Sequence, residues 1–344
     1  MIFLDEFSFY EAERKLIPEI GILLQKRFRI LQAIDAAGPI GRRALADVLG
    51  LTEREVRKET TLLFEQKLIS IKQQGMVCTD TGLQILEQLR DSFYELSGIA
   101  QKEKELALRL GIEKVIIIPG DFSEEASRIL LGKEGSKLLT QLAKPNSLIA
   151  ITGGSSVAAL GPFLTEMKSL NTASFIAARG SIGEEMNLQA NTLVASFAKQ
   201  CNASYRTLFL PEFSSEEAYV AMKAEPSVQE MIRLYERVNI VVHGIGAAED
   251  MAERRRSSTE EKRLLQEKGA VGEAFGYYFN EQGQIVHQIR TICIQPEHVK
   301  NSDHILVIAG GKRKAKAIDA YFKRAVDHTF FITDEAAANE ILTL

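Results

Sequence analysis

Seven short runs of β-branched and other apolar residues recur along the chain from Val115 onward, each closing on glycine, proline or an acidic turn. They are VIIIPGD at 115 to 121, LIAITGG at 148 to 154, SFIAARG at 174 to 180, TLFLPEF at 207 to 213, NIVVHGIG at 239 to 246, HILVIAGG at 304 to 311 and TFFITDE at 329 to 335. Helically spaced stretches separate them. A strand that is apolar nearly throughout must be covered on both faces, and alternation with helices supplies the cover. The pattern therefore predicts a mainly parallel, doubly wound α/β domain of Rossmann-like type. One segment differs: EAFGYYFNEQGQIVHQIRTICI at 273 to 294 reads as a β-hairpin turning at Asn280 to Gly283, an antiparallel addition.

Ahead of this body the pattern is helical from about residue 20 to 110, broken at Gly38-Pro39 and Gly50. Leu24, Phe28, Leu31 and Ile34 give an apolar helix face, and Ala44, Leu45, Val48 and Leu49 give a second that Gly50 ends. Thr52 and Glu55 then have the spacing of a capping box that opens a third helix. Val56 and Leu63 mark its inner side, whereas Arg54, Arg57, Lys58 and Thr61 stand at i, i+3, i+4 and i+7 on one outer face. LISIKQQGMVCT follows as two short strands around Gln73-Gln74-Gly75. Helix, turn, helix and hairpin together predict a winged helix-turn-helix domain over residues 1 to 80. Its candidate contacts to double-stranded DNA are Arg42, Arg43, Thr52, Arg54, Arg57, Lys58 and Thr61. A helical interaction module with a solvated charged face is the alternative, and Glu53 and Glu59 near the same helix favour it.

Charge placement separates the two halves. The whole chain of 344 residues carries a net −4, but Lys26 to Lys72 holds ten basic and six acidic residues, a local +4. The remainder is accordingly −8, and a basic module on an acidic body fits an anionic polymer partner for one part only. Leu86, Leu89, Phe93, Leu96 and Ala100 then repeat at heptad spacing, which predicts a linker helix over 81 to 110 that either supports a homo-oligomer contact or packs on its own chain. The effector domain is expected over 111 to 344. Three scattered cysteines without a CxxC pair, an N-terminus without a secretion signal and the lack of a long apolar run point to a cytoplasmic protein with no membrane role.

Open α/β sheets bind ligands beyond the carboxyl ends of their strands. Three such loops suit an anion. Gly153, Gly154, Ser155 and Ser156 offer backbone N–H groups and hydroxyls at a helix start, Gly310 to Lys314 in AGGKRKAKAI add cations, and Arg179 stands beside Gly180. Two phosphate-sized places in one crevice would suit a sugar bisphosphate, with Arg254 and Arg255 at one end and Gln189 and Glu273 facing sugar hydroxyls. An enzyme acting on sugar phosphates is the competing class, and His243 and Glu273 are its candidate acid–base groups. The five histidines lack HxxxH or HExxH spacing, so neither a metal nor a cofactor is expected.

Through QKRFRILQAI, PIGRRALADVLGLTEREVR, ITGGSS, ARGSIGEE, NLQANT, AEPSV, VHGIG, EAFGYYFN, IAGG and KAIDAYFK, the chain resembles the sorbitol operon regulator (SorC) family of bacterial transcriptional repressors over nearly its whole length. The resemblance implies a winged helix domain joined to an effector domain of the ribose-phosphate isomerase and glucosamine-phosphate deaminase type. It implies a non-catalytic repressor of a glycolytic operon that binds its operator as a dimer of dimers, while the sequence itself leaves the homo-oligomer open between dimer and tetramer. Fructose 1,6-bisphosphate would be the inducer, weakening cooperative operator binding. Carried over by residue, the sugar-binding positions are Gly153, Gly154, Ser155, Ser156, Arg179, Gln189, Arg254, Arg255, Glu273 and Lys314.

Overall fold

The structure, a computed structural model, describes residues 16–344 other than positions 97, 184, 213 and 214, and no side chain at 18, at 20 or from 90 to 97. The N-terminal segment judged for a secretion signal, and the Phe93 and Leu96 side chains of the heptad, lie outside the described residues. The chain divides into two compact units, one running to Lys102 with Glu124–Ala126, the other comprising Glu103–Ser123 and Ser127–Leu344.

In the first unit, α1 (Pro18–Ala37), α2 (Arg42–Leu49) and α3 (Glu53–Glu65) precede the hairpin β1 (Ile69–Lys72) and β2 (Gly75–Cys78). Phe28, Leu31 and Ile34 of α1, Leu45 and Val48 of α2, and Val56 and Leu63 of α3 share one buried core. Leu24 is only partly buried, and on α2 it is Ala46 that is buried while Ala44 faces outward. Gly50 ends α2 in the left-handed region at φ 63, and both bonds of the capping box between Thr52 and Glu55 open α3. Lys72 pairs with Gly75 across the turn, and Met76 bridges back to Ile40. Gly75 is required here: its φ is 138, and a Cβ would lie 2.7 Å from the Ile40 backbone.

The expected single helix over 81 to 110 is two, α4 (Asp80–Leu96) and α5 (Ile99–Leu110). Gly98 separates them at φ 70, a conformation that ends helices and that other residues adopt at a cost. Leu86 is buried in the N-terminal core and Leu89 packs against it, so these heptad positions serve their own chain.

In the second unit, β3 (Lys114–Ile118), β4 (Leu148–Ile151), β5 (Ser174–Ala177), β6 (Ser204–Arg206), β7 (Ile240–His243), β8 (Gly246–Ala247), β9 (Ala270–Ala274), β10 (Tyr277–Asn280), β11 (Ile285–Gln288), β12 (His304–Ile308) and β13 (Thr329–Asp334) form two sheets among the described residues. The main sheet is wholly parallel in the order β3-β13-β12-β7-β4-β5-β6. After β4 the chain moves outward through β5 to β6, and after β7 it moves the other way, so the order reverses between β4 and β7. A crevice must open beyond the carboxyl ends of those two strands.

Two expectations change. Of the run expected at 207 to 213, the described residues 207 to 212 are not a strand; the edge strand is Ser204–Arg206 instead. Asn191 captures Leu208 from both sides, its Oδ1 taking the Leu208 N–H at 2.7 Å and its Nδ2 donating to the Leu208 carbonyl at 2.9 Å, so this backbone needs no strand neighbour. The expected hairpin exists as β10 and β11, but it belongs to a separate antiparallel sheet, β11-β10-β9-β8. Among the described residues no helix is long and apolar enough to cross a membrane.

Candidate functional site

The first candidate surface lies on α3. Arg54, Arg57, Lys58 and Thr61 are all exposed along its outer face, Arg43 is exposed and Arg42 partly so at the start of α2. Arg57 reaches Glu53 at 3.2 Å, but both side chains are at least half exposed, so water and salt screen the pair and a stronger anion can displace it. Glu59, which by sequence threatened to neutralise this face, turns inward: it is 3% exposed and takes the Arg27 Nε–H at 2.9 Å. Glu55 is likewise committed. The Thr52 hydroxyl and amide, with Lys26, hold its carboxyl down to about 2, so its charge faces the cap. Lys72, exposed at the wing tip, adds a cation that sequence reasoning left out of the contact set.

The second candidate is the crevice at the β4/β7 reversal. Gly153, Gly154, Ser155, Ser156, Arg179, Gln189, Arg254, Glu273 and Lys314 all line it. Arg255 does not. The loop after β4 starts a short helix whose first bond runs from the Ala158 N–H to the Gly154 carbonyl, leaving the N–H groups of Ser155, Ser156 and Val157 before the first helical partner. Gly153 is packed so tightly that a Cβ would fall 2.3 Å from the Leu188 carbonyl oxygen. Gln189 shapes the facing loop: its Oε1 takes the Ile182 N–H at 2.9 Å and its Nε2 donates to the Ile182 carbonyl.

Arg179 and Arg255 are both buried and share two carboxylates. Arg179 reaches Glu212 at 2.8 Å and Glu273 at 3.4 Å; Arg255 reaches each at 2.9 Å and also donates to the Tyr278 hydroxyl. Burial alone would raise the Glu273 carboxyl, but Arg255 and Arg179 outweigh it and hold it below the usual carboxylate range. Arg255 is thereby spent on Glu212 and on Glu273, which it holds in the crevice wall from behind. Arg179 is spent less completely, because its buried Nε has no hydrogen-bond partner.

The other cations are looser. Arg254 is about a third exposed and its nearest carboxylate, Glu185, is 3.9 Å away. Lys314 follows β12 in a tight turn, its Nζ 5.8 Å above the Phe122 ring. Burial depresses its pKa against the pull of Asp250, and Arg254 adds to the depression. A cation held in that state gains from a bound anion. Lys312 and Arg313, next to it in sequence, are exposed and pair with Glu340 and Asp250.

Sequence reasoning missed the fourth wall, Gly244 to Ala247 after β7, and Asp250 beyond it. The GIG run following an apolar strand was the available signal. It also missed Glu212, an isolated acid in a loop whose role depends on two arginines distant in sequence.

His243 is not an acid–base group for the crevice. It is fully buried, its Nδ1 donates to the Gly244 carbonyl at 3.0 Å, and its Nε2 accepts from the Tyr321 hydroxyl at 2.9 Å. Among the described residues no group of three or more His, Cys, Asp or Glu is placed to hold a metal.

Comparison with known proteins agrees with this division. Residues 23–93 match the CggR N-terminal DNA binding domain family, and residues 94–343 match a sugar-binding domain family. The central glycolytic genes regulator of Priestia megaterium is 40% identical over 338 residues, covering 97% of this chain and 98% of the relative. That of Bacillus subtilis is 37% identical over 334 residues, covering 96% and 98%. Among solved structures, a SorC family transcriptional regulator from Enterococcus faecalis aligns at 40% identity and a TM-score of 0.64, over 70% of this chain and 99% of that one. The full-length sorbitol operon regulator of Klebsiella pneumoniae shares the fold at 16% identity and a TM-score of 0.66, over 88% of this chain and 94% of that one. The chain belongs to the SorC family of transcriptional regulators, with a DNA-binding domain at its N-terminus and a sugar-binding domain after it.

Proposed function

We propose that this protein is an operon repressor of glycolytic genes, bound to operator DNA through α3 and its wing and released by a phosphorylated sugar, fructose 1,6-bisphosphate. The carrying observation is the crevice itself. It sets the N–H groups of Ser155 and Ser156, the under-bonded Arg179, the loose Arg254 and the charge-starved Lys314 around one opening, which suits a small polyanion better than a neutral sugar. The near 40% identity to two central glycolytic genes regulators supports the choice of operon. The effector acts by binding the free and operator-bound assemblies with different affinity, since equal affinity would shift nothing. The repressor works as a homo-oligomer, dimer or tetramer, whose cooperation on the operator the effector weakens. It needs no cofactor beyond that effector, and it works in the cytoplasm.

A gel shift with the upstream region of a glycolytic operon tests the reading. Retardation that fructose 1,6-bisphosphate relieves is expected. Relief by glucose 6-phosphate and never by the bisphosphate would overturn the effector, and absence of retardation would overturn the operator.

A further inference from the structure

A second cavity, of about 530 Å³, opens where β12 and β13 begin, at the end of the sheet opposite the crevice. That volume is within the ~300 to 1,000 Å³ typical of small-molecule sites. Phe279 of β10, Val299, Ile305 of β12 and Val326 give it apolar walls, and Phe275 closes it on the side it shares with the crevice. Phe275 is held there by the turn from β9 to β10, where it takes φ 56, a region that bulky residues rarely occupy.

Its polar features are few, and two of them are already committed, the Tyr277 hydroxyl to Gln295 and the Tyr321 hydroxyl to His243. Thr329 lines it at 1% exposure, and its Oγ1 has no hydrogen-bond partner. Rotation about χ1 exchanges the methyl and hydroxyl of a threonine, so an occupant could be met by either. At the rim, Lys300 and Arg324 are exposed, and neither has an ion-pair partner among the described residues, while Glu297 is the single acid of the lining. A sugar phosphate would find too few hydrogen-bonding groups here, and a purely apolar molecule would leave the two cations unused.

We propose that this cavity is a second binding site, one that takes a compact apolar organic anion with its body against Phe275, Phe279 and Val326 and its charge at Lys300 and Arg324. This stands apart from the sugar reading, because only Ala274 and Phe275 are common to both cavities.

Fluorescence titration of the full chain with anilinonaphthalene sulfonate tests it. A single saturating phase is expected, weakened about tenfold or more, roughly 1.4 kcal/mol, in the doubly substituted Lys300→Glu, Arg324→Glu chain. Both positions are on the surface, so wild-type circular dichroism is expected alongside. Ala325→Trp, which fills the cavity, should weaken the probe without changing charge, and Arg254→Ala in the crevice should leave it unchanged. Absence of saturable binding, equal affinity in the charge-reversed chain, or loss on Arg254→Ala would each overturn the proposal.

Discussion

Arg255 Nη2 lies 2.9 Å from Glu273 Oε1, with 3% and 4% of the two side chains exposed. The same oxygen takes the Gly276 N–H at 2.5 Å. One buried carboxylate thus ties an arginine behind the crevice to the turn that carries Phe275, and Arg179, in the loop after β5, joins it at 3.4 Å. Such a cluster is costly to break from one side, because without Glu273 two buried arginines share the one carboxylate of Glu212 and a positive charge is left uncompensated.

Glu273→Gln is therefore expected to destabilise the protein by about 3 to 5 kcal/mol. Urea denaturation of the wild type and the variant at neutral pH checks this. A loss under ~1 kcal/mol, the range of an exposed pair, would show that the cluster is solvated rather than buried.

His243 gives a dependence on acidity. Burial holds its pKa at about 4, with the Gly244 carbonyl and Glu273 opposing. The unfolded chain binds this proton at ~6.5. Between those values the unfolded state carries more protons, so stability contributed by neutral His243 is full above ~6.5 and is lost as pH falls toward 4. The wild type should lose about 2 kcal/mol from this group between pH 7 and pH 5. His243→Asn, compared at the same two pH values by denaturant midpoint, should show a difference smaller by that amount. An unchanged difference would assign the acid sensitivity to other groups.

Arg254→Ala is the clean test of the crevice. Its carboxylate neighbour is 3.9 Å away and its side chain a third exposed, so removing it leaves no buried charge behind. Operator affinity without sugar should be unchanged, while the bisphosphate concentration for half-release should rise about tenfold, the effect of one charge-assisted contact of roughly 1.4 kcal/mol. Titrating the gel shift reads both. Arg179→Ala serves less well, because it also strips Glu212 and Glu273 of a partner.

Arg57→Ala should weaken operator binding by ~1 to 3 kcal/mol and relax sequence preference if the guanidinium reads a base. Fluorescence anisotropy on matched and single-mismatch duplexes distinguishes this from a phosphate contact, whose loss lowers all affinities together and flattens the salt dependence.

Gly75→Ala tests the wing. The added methyl meets the Ile40 backbone at 2.7 Å in a positive-φ conformation, so the bridge between Ile40 and Met76 cannot persist unchanged. Amide exchange at Met76 should accelerate by at least about tenfold. Protection equal to wild type would mean that the turn relaxes around the methyl.

Local patterning carried much of this protein into view. The apolar runs that became β3, β4, β5, β7, β12 and β13 were legible because a strand buried on both faces has to be apolar along its length. The cap at Thr52 and the outward face of Arg54, Arg57, Lys58 and Thr61 follow from spacing alone, since helical geometry fixes them. Where a residue's fate depended on a distant partner, the pattern misled. The apolar run at 207 to 213 looked like a strand because nothing nearby announced that Asn191 would take both backbone groups of Leu208. Arg254 and Arg255 are adjacent in sequence and alike in charge, yet one faces the crevice while the other is enclosed by Glu212, Glu273 and Tyr278.

What the sequence by itself determined is most of the elements, their order and the kinds of loop that follow the strands, because propensity, capping and apolar period act over a few residues. Only the tertiary structure decided which charges are spent and which are available. Strand order brings the loops after β4, β5, β7 and β12 to one end of the sheet, and ion pairing across nearly a hundred residues, as between Arg179 and Glu273, then decides which cations remain for a ligand.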